Sequence, residues 1–243
     1  MTANTCVLAG FLPGFGRLGD RLGHKKMLVS GLVLFGVASA LAAFASTPQR
    51  LILARVLLGL GSSMMMPATL SIIRITFSDI KERTLALGIW SALASGGSAL
   101  GPVIGGLMLE YFWWGSVFLI NVPVVAAALI SCGLVLPKSR VKTDQPWSLS
   151  SSLLITVGLV GLTYAIKEVS KPGASMAAAS VALIIGGAAL TSFVRIQRRA
   201  TWPLIDFTLF KDQVFFNGVM VALLATVVMV GVDLAVSQRL QLV

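Results

Sequence analysis

Apolar runs of roughly twenty residues recur along this chain, and they limit its fold more than any other feature. Each run is long enough to cross a hydrocarbon layer of about 30 Å as a helix. They fall roughly at 27–46, 51–76, 84–108, 115–136, 148–166, 176–194 and 214–237, with a partial one before residue 16. Every run is apolar on all faces. A transmembrane β-barrel is thereby excluded, because its strands alternate polar and apolar residues with period two. Only 12% of the 243 residues are charged and 56% are hydrophobic, whereas a soluble domain carries about a quarter charged residues. The expected class is an all-α polytopic membrane protein with about seven full spans and part of another.

A formal net charge of +10 would fit nucleic-acid binding, but the placement of the charges argues against it. Alternate connections hold Arg17, Arg21, Lys25 and Lys26; Arg74, Lys81 and Arg83; Lys138, Arg140 and Lys142; and Arg195, Arg198, Arg199 and Lys211. That puts fourteen of the nineteen basic residues on one side. The other side holds Arg50, Lys167, Lys171 and Arg239, and Arg55 lies within a span. Short loops rich in Lys and Arg stay in the cytoplasm, which orients the chain. Basicity here reports topology, with a weaker attraction to anionic lipid. Cys6 and Cys132 both fall in apolar stretches, so free buried thiols are expected, with no disulfide and no metal site. No basic region precedes the first apolar residues, so no secretory leader is expected.

The charge and polarity pattern divides the chain into three parts. Residues 1–136 read as a helical bundle, opening inside a helix because 4–15 are too few to cross. Residues 137–194 comprise a polar link, PKSRVKTDQPW, and two further spans. Residues 195–243 comprise a mixed stretch and a last span. In that stretch Trp202, Phe207, Leu209 and Phe210 suit an apolar side, and Arg195, Arg198, Arg199 and Lys211 a wet one, as in a helix lying at the inner interface. Trp113 and Trp114 sit at an outer boundary, where aromatic belts form.

One connection carries a specific pattern, GRLGDRLGHKK over 16–26. Gly16, Gly19 and Gly23 permit a tight reversal. Asp20 can face an adjacent helix N-terminus, where a carboxylate gains about 0.3–1 kcal/mol. Arg21, Lys25 and Lys26 fix the cytoplasmic side and can pair with that acid. Composition alone would make this a solvated turn. The spacing Gly16-x-Leu18-x-Asp20-Arg21-x-Gly23-x-Lys25, however, closely resembles the cytoplasmic signature between the second and third helices of the major facilitator superfamily, with His24 where that family usually has a base. The resemblance implies a partial major facilitator bundle in which Asp20 and Arg21 belong to a conformational latch between two rocking halves.

Further motifs extend the resemblance. Arg55 stands inside a span, where a charge costs about 2.5–3.5 kcal/mol at mid-bilayer. It therefore faces protein or water, or it snorkels from its place near the outer helix end. Leu51, Arg55, Gly59 and Gly61 look like the superfamily's fourth-helix motif, whose Arg is implicated in proton coupling. In GGSALGPVIGG, Gly97, Gly101 and Gly105 recur every four residues and form a smooth stripe that admits another helix, and Pro102 removes a backbone donor. Ordinary close packing would account for that stripe. The string Gly97-x-x-x-Gly101-Pro102-x-x-Gly105-Gly106 is also similar to the antiporter motif of drug exporters, which implies export in exchange for protons. Trp113, Trp114, Phe118, Asn121 and Pro123 resemble the sixth-helix start of the fourteen-helix drug:proton antiporters, and two spans inserted after the sixth helix fit that branch.

Asp233 is an acid within the last run. A desolvated carboxylate there holds its proton more tightly and can cycle protons; near the outer end it is simply hydrated. Glu110 and Glu168 read as boundary charges. Met64, Met65 and Met66 read as packing, although polarizable methionines also suit promiscuous surfaces.

The function these features imply is proton-coupled efflux of amphipathic organic cations, of the quaternary ammonium and methyl viologen type, by alternating access in a bacterial cytoplasmic membrane. Expected partners are the lipid bilayer, protons, hydrophobic or cationic small molecules, and the missing helices of the same transporter. No nucleic acid, cofactor or metal is expected, and the chain is not expected to be an enzyme. Without a phosphate-binding loop, a proton gradient is the expected energy source. A seven-span receptor remains open as the alternative, or a membrane fragment that transports nothing. A retinal protein needs a lysine inside a helix and a membrane protease needs histidines there; His24 is the lone histidine and lies in a connection. Relative to the family it resembles, the chain lacks the first helix, part of the second and the later ones, so it is expected not to transport alone.

Overall fold

The computed structural model describes residues 2–136, 149–169, 175–200 and 211–241. Their regular structure is helical: α1 (Thr2–Leu22), α2 (His24–Ala43), α3 (Pro48–Thr76), α4 (Ile80–Tyr111), the short α5 (Ser116–Leu119), α6 (Asn121–Val135), α7 (Leu149–Val169), α8 (Met176–Arg199) and α9 (Gln213–Gln241). Six spans among them are long and apolar enough to cross a membrane, with α5 and α6 forming one of the six. α9 is apolar over Gln213–Val228 as well. The chain is a multi-pass α-helical membrane protein.

Helix boundaries follow from local chemistry. At the start of α3, Thr47 accepts a hydrogen bond from the Arg50 amide at 3.3 Å, and Pro48 occupies the first turn, where its missing N–H is no loss. Asp79 accepts from the Glu82 amide at 3.3 Å and so begins α4 at Ile80, four residues earlier than the apolar pattern predicts. Pro67 lies inside α3 and Pro102 inside α4, each removing one rung of the hydrogen-bond ladder. Pro123 cannot donate to Leu119, which coincides with the break between α5 and α6 at Ile120.

Two expectations are corrected at the first connection. α1 continues as helix to Leu22, past residue 16 where the connection was expected to begin. Residues 16–22 belong to its last turns and 24–26 to the first turn of α2, leaving Gly23 between them at φ 95°. Backbone groups near a bilayer need hydrogen-bond partners. The helix accordingly runs on through Gly16 and Gly19 and stops at Gly23, where the left-handed region carries no side-chain penalty. A third correction concerns 195–199: these residues continue α8 to Arg199 instead of starting a separate interfacial segment. Trp202, Phe207, Leu209 and Phe210 lie outside the described residues, as do the link 137–147 with Lys138, Arg140 and Lys142, and also Lys171.

The chain divides into two compact units, Met1–Ile196 and Gln197–Val243. In the first, α3 packs against α1 and α2, α1 also meets α7, and α2 also meets α6. The α2–α3 crossing is close because glycine faces glycine. A Cβ on Gly61 would stand 3.0 Å from the Phe35 amide nitrogen and 3.1 Å from the Gly31 carbonyl oxygen. Below this crossing lies a core of Ala38, Ala42, Ala54 and Leu58, flanked by Phe35, Leu51, Leu57 and Phe118. α7 and α8 meet in the same manner, since a Cβ on Gly161 would lie 2.8 Å from the Ala182 carbonyl oxygen. α4 differs: it touches its sequence neighbours α3 and α5, and none of its residues is buried.

Candidate functional site: a charged turn, an inward arginine and an open glycine face

At the turn between α1 and α2, Asp20 pairs with His24, with 3.3 Å separating Oδ1 from Nε2. The imidazole is nearly buried and packs on Gly19, where a Cβ would come within 3.1 Å of Nδ1. Sequence reasoning expected Arg21, Lys25 and Lys26 as partners for the acid. Arg21 and Lys26 are exposed, and the Lys25 ammonium instead donates to the Leu136 carbonyl at the end of α6. That carbonyl is one of the last in a helix, with no partner of its own in the ladder, and a cation there also meets the negative end of the helix dipole. Asp20 therefore joins the end of α1 to the first residue of α2, and Lys25 joins α2 to α6. Gly16, further up α1, approaches α3, where a Cβ would stand 3.7 Å from that of Pro67.

Arg55 lies in α3, seven residues beyond Pro48, about two helical turns from the helix start. It is half-buried, and its guanidinium carbon stands 5.7 Å from the centroid of the Phe118 ring on α5. Among the described residues Arg55 makes no ion pair. Phe118 belongs to an aromatic run that continues through Trp114 and Trp113 to Phe44. Its ring meets Trp114 edge to face at 6.2 Å, Trp114 meets Trp113 at 6.4 Å, and Trp113 meets Phe44 at 5.4 Å. Beside this run the Asn121 amide donates to the buried hydroxyl of Ser39 at 3.3 Å, tying α6 to α2. Arg50, by contrast, is exposed at the helix start and donates to Ser46 at 2.9 Å.

Among the described residues, nothing packs on the glycine stripe of α4. Around Gly97, Gly101, Gly105 and Gly106 no described atom lies within 4 Å of where a Cβ would be, and Pro102 is exposed. Among the described residues this glycine stripe is thus left open, and a different pair of glycines, Gly31 and Gly61, is closely packed. Sequence reasoning assigned Gly61 to the Arg55 motif and missed Gly31, since neither belongs to a four-residue repeat. Met64 and Met65 are explained by the same crossing: a Cβ on Gly31 would meet Met64 Cβ at 3.0 Å and Met65 Cγ at 2.9 Å. Asp233 falls within α9, in a stretch whose side chains lie outside the described ones.

The described residues form membrane-length helices with a charged, glycine-hinged turn at one end of α1 and a half-buried arginine in α3. Residues 1–241 match the family model of the Major Facilitator Superfamily, and the chain belongs to that superfamily. The chain is 42% identical over 237 residues to the methyl viologen resistance protein SmvA of Salmonella typhimurium, covering 98% of this chain and 48% of that protein. It is 40% identical over 237 residues to the multidrug efflux pump LfrA of Mycolicibacterium smegmatis, covering 98% and 47%. It is 34% identical over 212 residues to a methylenomycin A resistance protein of Bacillus subtilis, covering 87% and 44%. The chain spans about half the length of the curated relatives it matches. The relatives it matches are drug-resistance and efflux proteins of that superfamily.

Proposed function

We propose that this bundle is one half of a proton-driven exporter of amphipathic organic cations in the bacterial cytoplasmic membrane. The observation that carries the reading is the α1–α2 turn, in which Asp20 bridges two helices across the left-handed Gly23. Gly16, Asp20, Arg21, Gly23 and Lys25 act as the conformational latch: the paired acid and the Lys25 tie to α6 hold the cytoplasmic ends of α1, α2 and α6 together, and exchange of those partners accompanies rocking. Arg55 and Asp233 serve proton coupling, with Arg55 placing a fixed positive charge where a neighbouring carboxylate would lose its proton more readily. Quaternary ammonium and methyl viologen-type cations are the proposed substrates; SmvA is a methyl viologen resistance protein and LfrA a multidrug efflux pump.

Gly97, Gly101, Pro102, Gly105 and Gly106 form the surface on which helices of the other half dock, a reading supported by the open face of α4. Alternating access then consists of the two halves rocking about a shared midplane site. The test is ethidium accumulation in an efflux-deficient host. Cells carrying this chain alone should accumulate as much dye as cells with empty vector. Co-expression with the remaining half of SmvA should lower accumulation, and a protonophore should abolish the difference. Export by the chain alone, or export insensitive to the protonophore, contradicts the proposal.

A further inference from the structure

Arg55 raises a physical question that its proposed part in proton coupling leaves open. A guanidinium two turns inside a membrane helix has a route outward, because its side chain is long enough to reach the interface and water lies nearby. The structure places it on the ring of Phe118 instead, and Phe118 is neither an acid nor a hydrogen-bond acceptor. The π face of an aromatic ring carries negative electrostatic potential and attracts a cation within about 6 Å of its centroid, more strongly where water is excluded. The 5.7 Å separation falls inside that range.

The ring is itself held in place. One contact is the edge-to-face Trp114 at 6.2 Å, and the other is the alanine-rich core of α2 and α3 against which Phe118 packs. Ala54 and Leu58, on either side of Arg55 in sequence, belong to that core and are 2% and 5% exposed, so the backbone that carries the arginine is fixed as well. A rigid ring and a rigid helix set the direction of the guanidinium without neutralising its charge. A carboxylate partner would hold the arginine equally well, but it would cancel the field that a proton-coupling group needs.

We infer that Phe118 is the positioning residue for Arg55: its ring keeps the guanidinium turned into the bundle, charged and unneutralised. The part of this inference that concerns coupling rests on the function proposed above, whereas the part that concerns position stands on the geometry alone.

The experiment uses the purified full chain in lipid nanodiscs and p-hydroxyphenylglyoxal, a water-soluble arginine reagent, with the extent of reaction at Arg55 and Arg50 read by mass spectrometry. Phe118→Leu keeps the bulk and removes the π face. It should raise the reaction rate at Arg55 by about three- to tenfold, the range that a cation–π contact supports, while Arg50 on the same helix changes by less than about twofold. Phe118→Trp, with the better cation-binding ring, should leave Arg55 as slow as in the parent or slower. Equal Arg55 rates in the parent and Phe118→Leu overturn the inference, as does faster reaction in Phe118→Trp. If Phe118→Leu disturbs the fold, Arg50 and Arg74 accelerate together with Arg55, and the Phe118→Trp rate then decides alone. Arg55→Gln in the assembled transporter separates the two claims. Proton-dependent export unchanged from the parent removes the coupling role and leaves the Phe118 contact standing; uncoupling by Arg55→Gln with flat reaction rates removes Phe118 and leaves the coupling role.

Discussion

The crossing of α2 with α3 and the long face of α4 use the same material, glycine set in an apolar helix, to opposite ends. At the crossing, Gly31 and Gly61 bring two backbones so close that added side chains would meet backbone atoms at about 3 Å. Along α4, a regular stripe from Gly97 to Gly105 has no described atom within 4 Å of any added Cβ. The comparison teaches that a small-residue repeat marks where a helix is able to approach, not where one does. In lipid there is little hydrophobic drive between helices, so association depends on fit and on what the chain offers as a neighbour. The closed crossing therefore belongs to the fold of this chain, and the open stripe is the face proposed above to serve its assembly.

Substitution at the two places should separate them. The largest effect is expected at the crossing, where Gly61→Leu forces a branched side chain against the Phe35 amide and the Gly31 carbonyl. Overpacking of this kind destabilises by about 3 kcal/mol, the upper part of its usual range, measured as a shift in unfolding in mixed detergent and SDS. A shift within error would mean that α2 and α3 do not cross at these glycines. The smallest effect is expected on α4. Gly101→Leu should change the same unfolding curve by less than about 0.5 kcal/mol, as surface substitutions do, yet should lower export strongly once the other half is co-expressed. A loss of stability in the chain alone would show that the stripe is already packed.

Much of the fold was legible in the sequence, for a physical reason. A hydrocarbon layer demands long helices with apolar faces all round, so length and hydropathy place the spans directly, and the structure moves most of their ends by only a few residues. The turn at 16–26 was legible as a motif but not as a shape. Its glycines read as loop, whereas the demand for backbone hydrogen bonds keeps Gly16 and Gly19 helical and leaves Gly23 alone to reverse the chain. The partner of Asp20 was misread because charge counting favours bases, while the four-residue spacing across the turn brings His24 to it. The ring facing Arg55 was not legible at all. Sixty-three positions separate Arg55 from Phe118, and nothing in either local pattern specifies that the start of α5 returns to the outer part of α3. For the same reason the α4 motif was recognisable while its occupancy was not.

The proposal on which the account turns is that α4 offers a face that no described residue of this chain fills and that a second half fills it. A nitroxide spin label at Gly101→Cys, with Cys6 and Cys132 replaced by serine, reads that face directly by electron paramagnetic resonance in lipid. The account predicts a mobile line shape for the chain alone and an immobilised one when the remaining half of SmvA is co-expressed and purified with it. An immobilised label in the chain alone, or a mobile one in both samples, would contradict it.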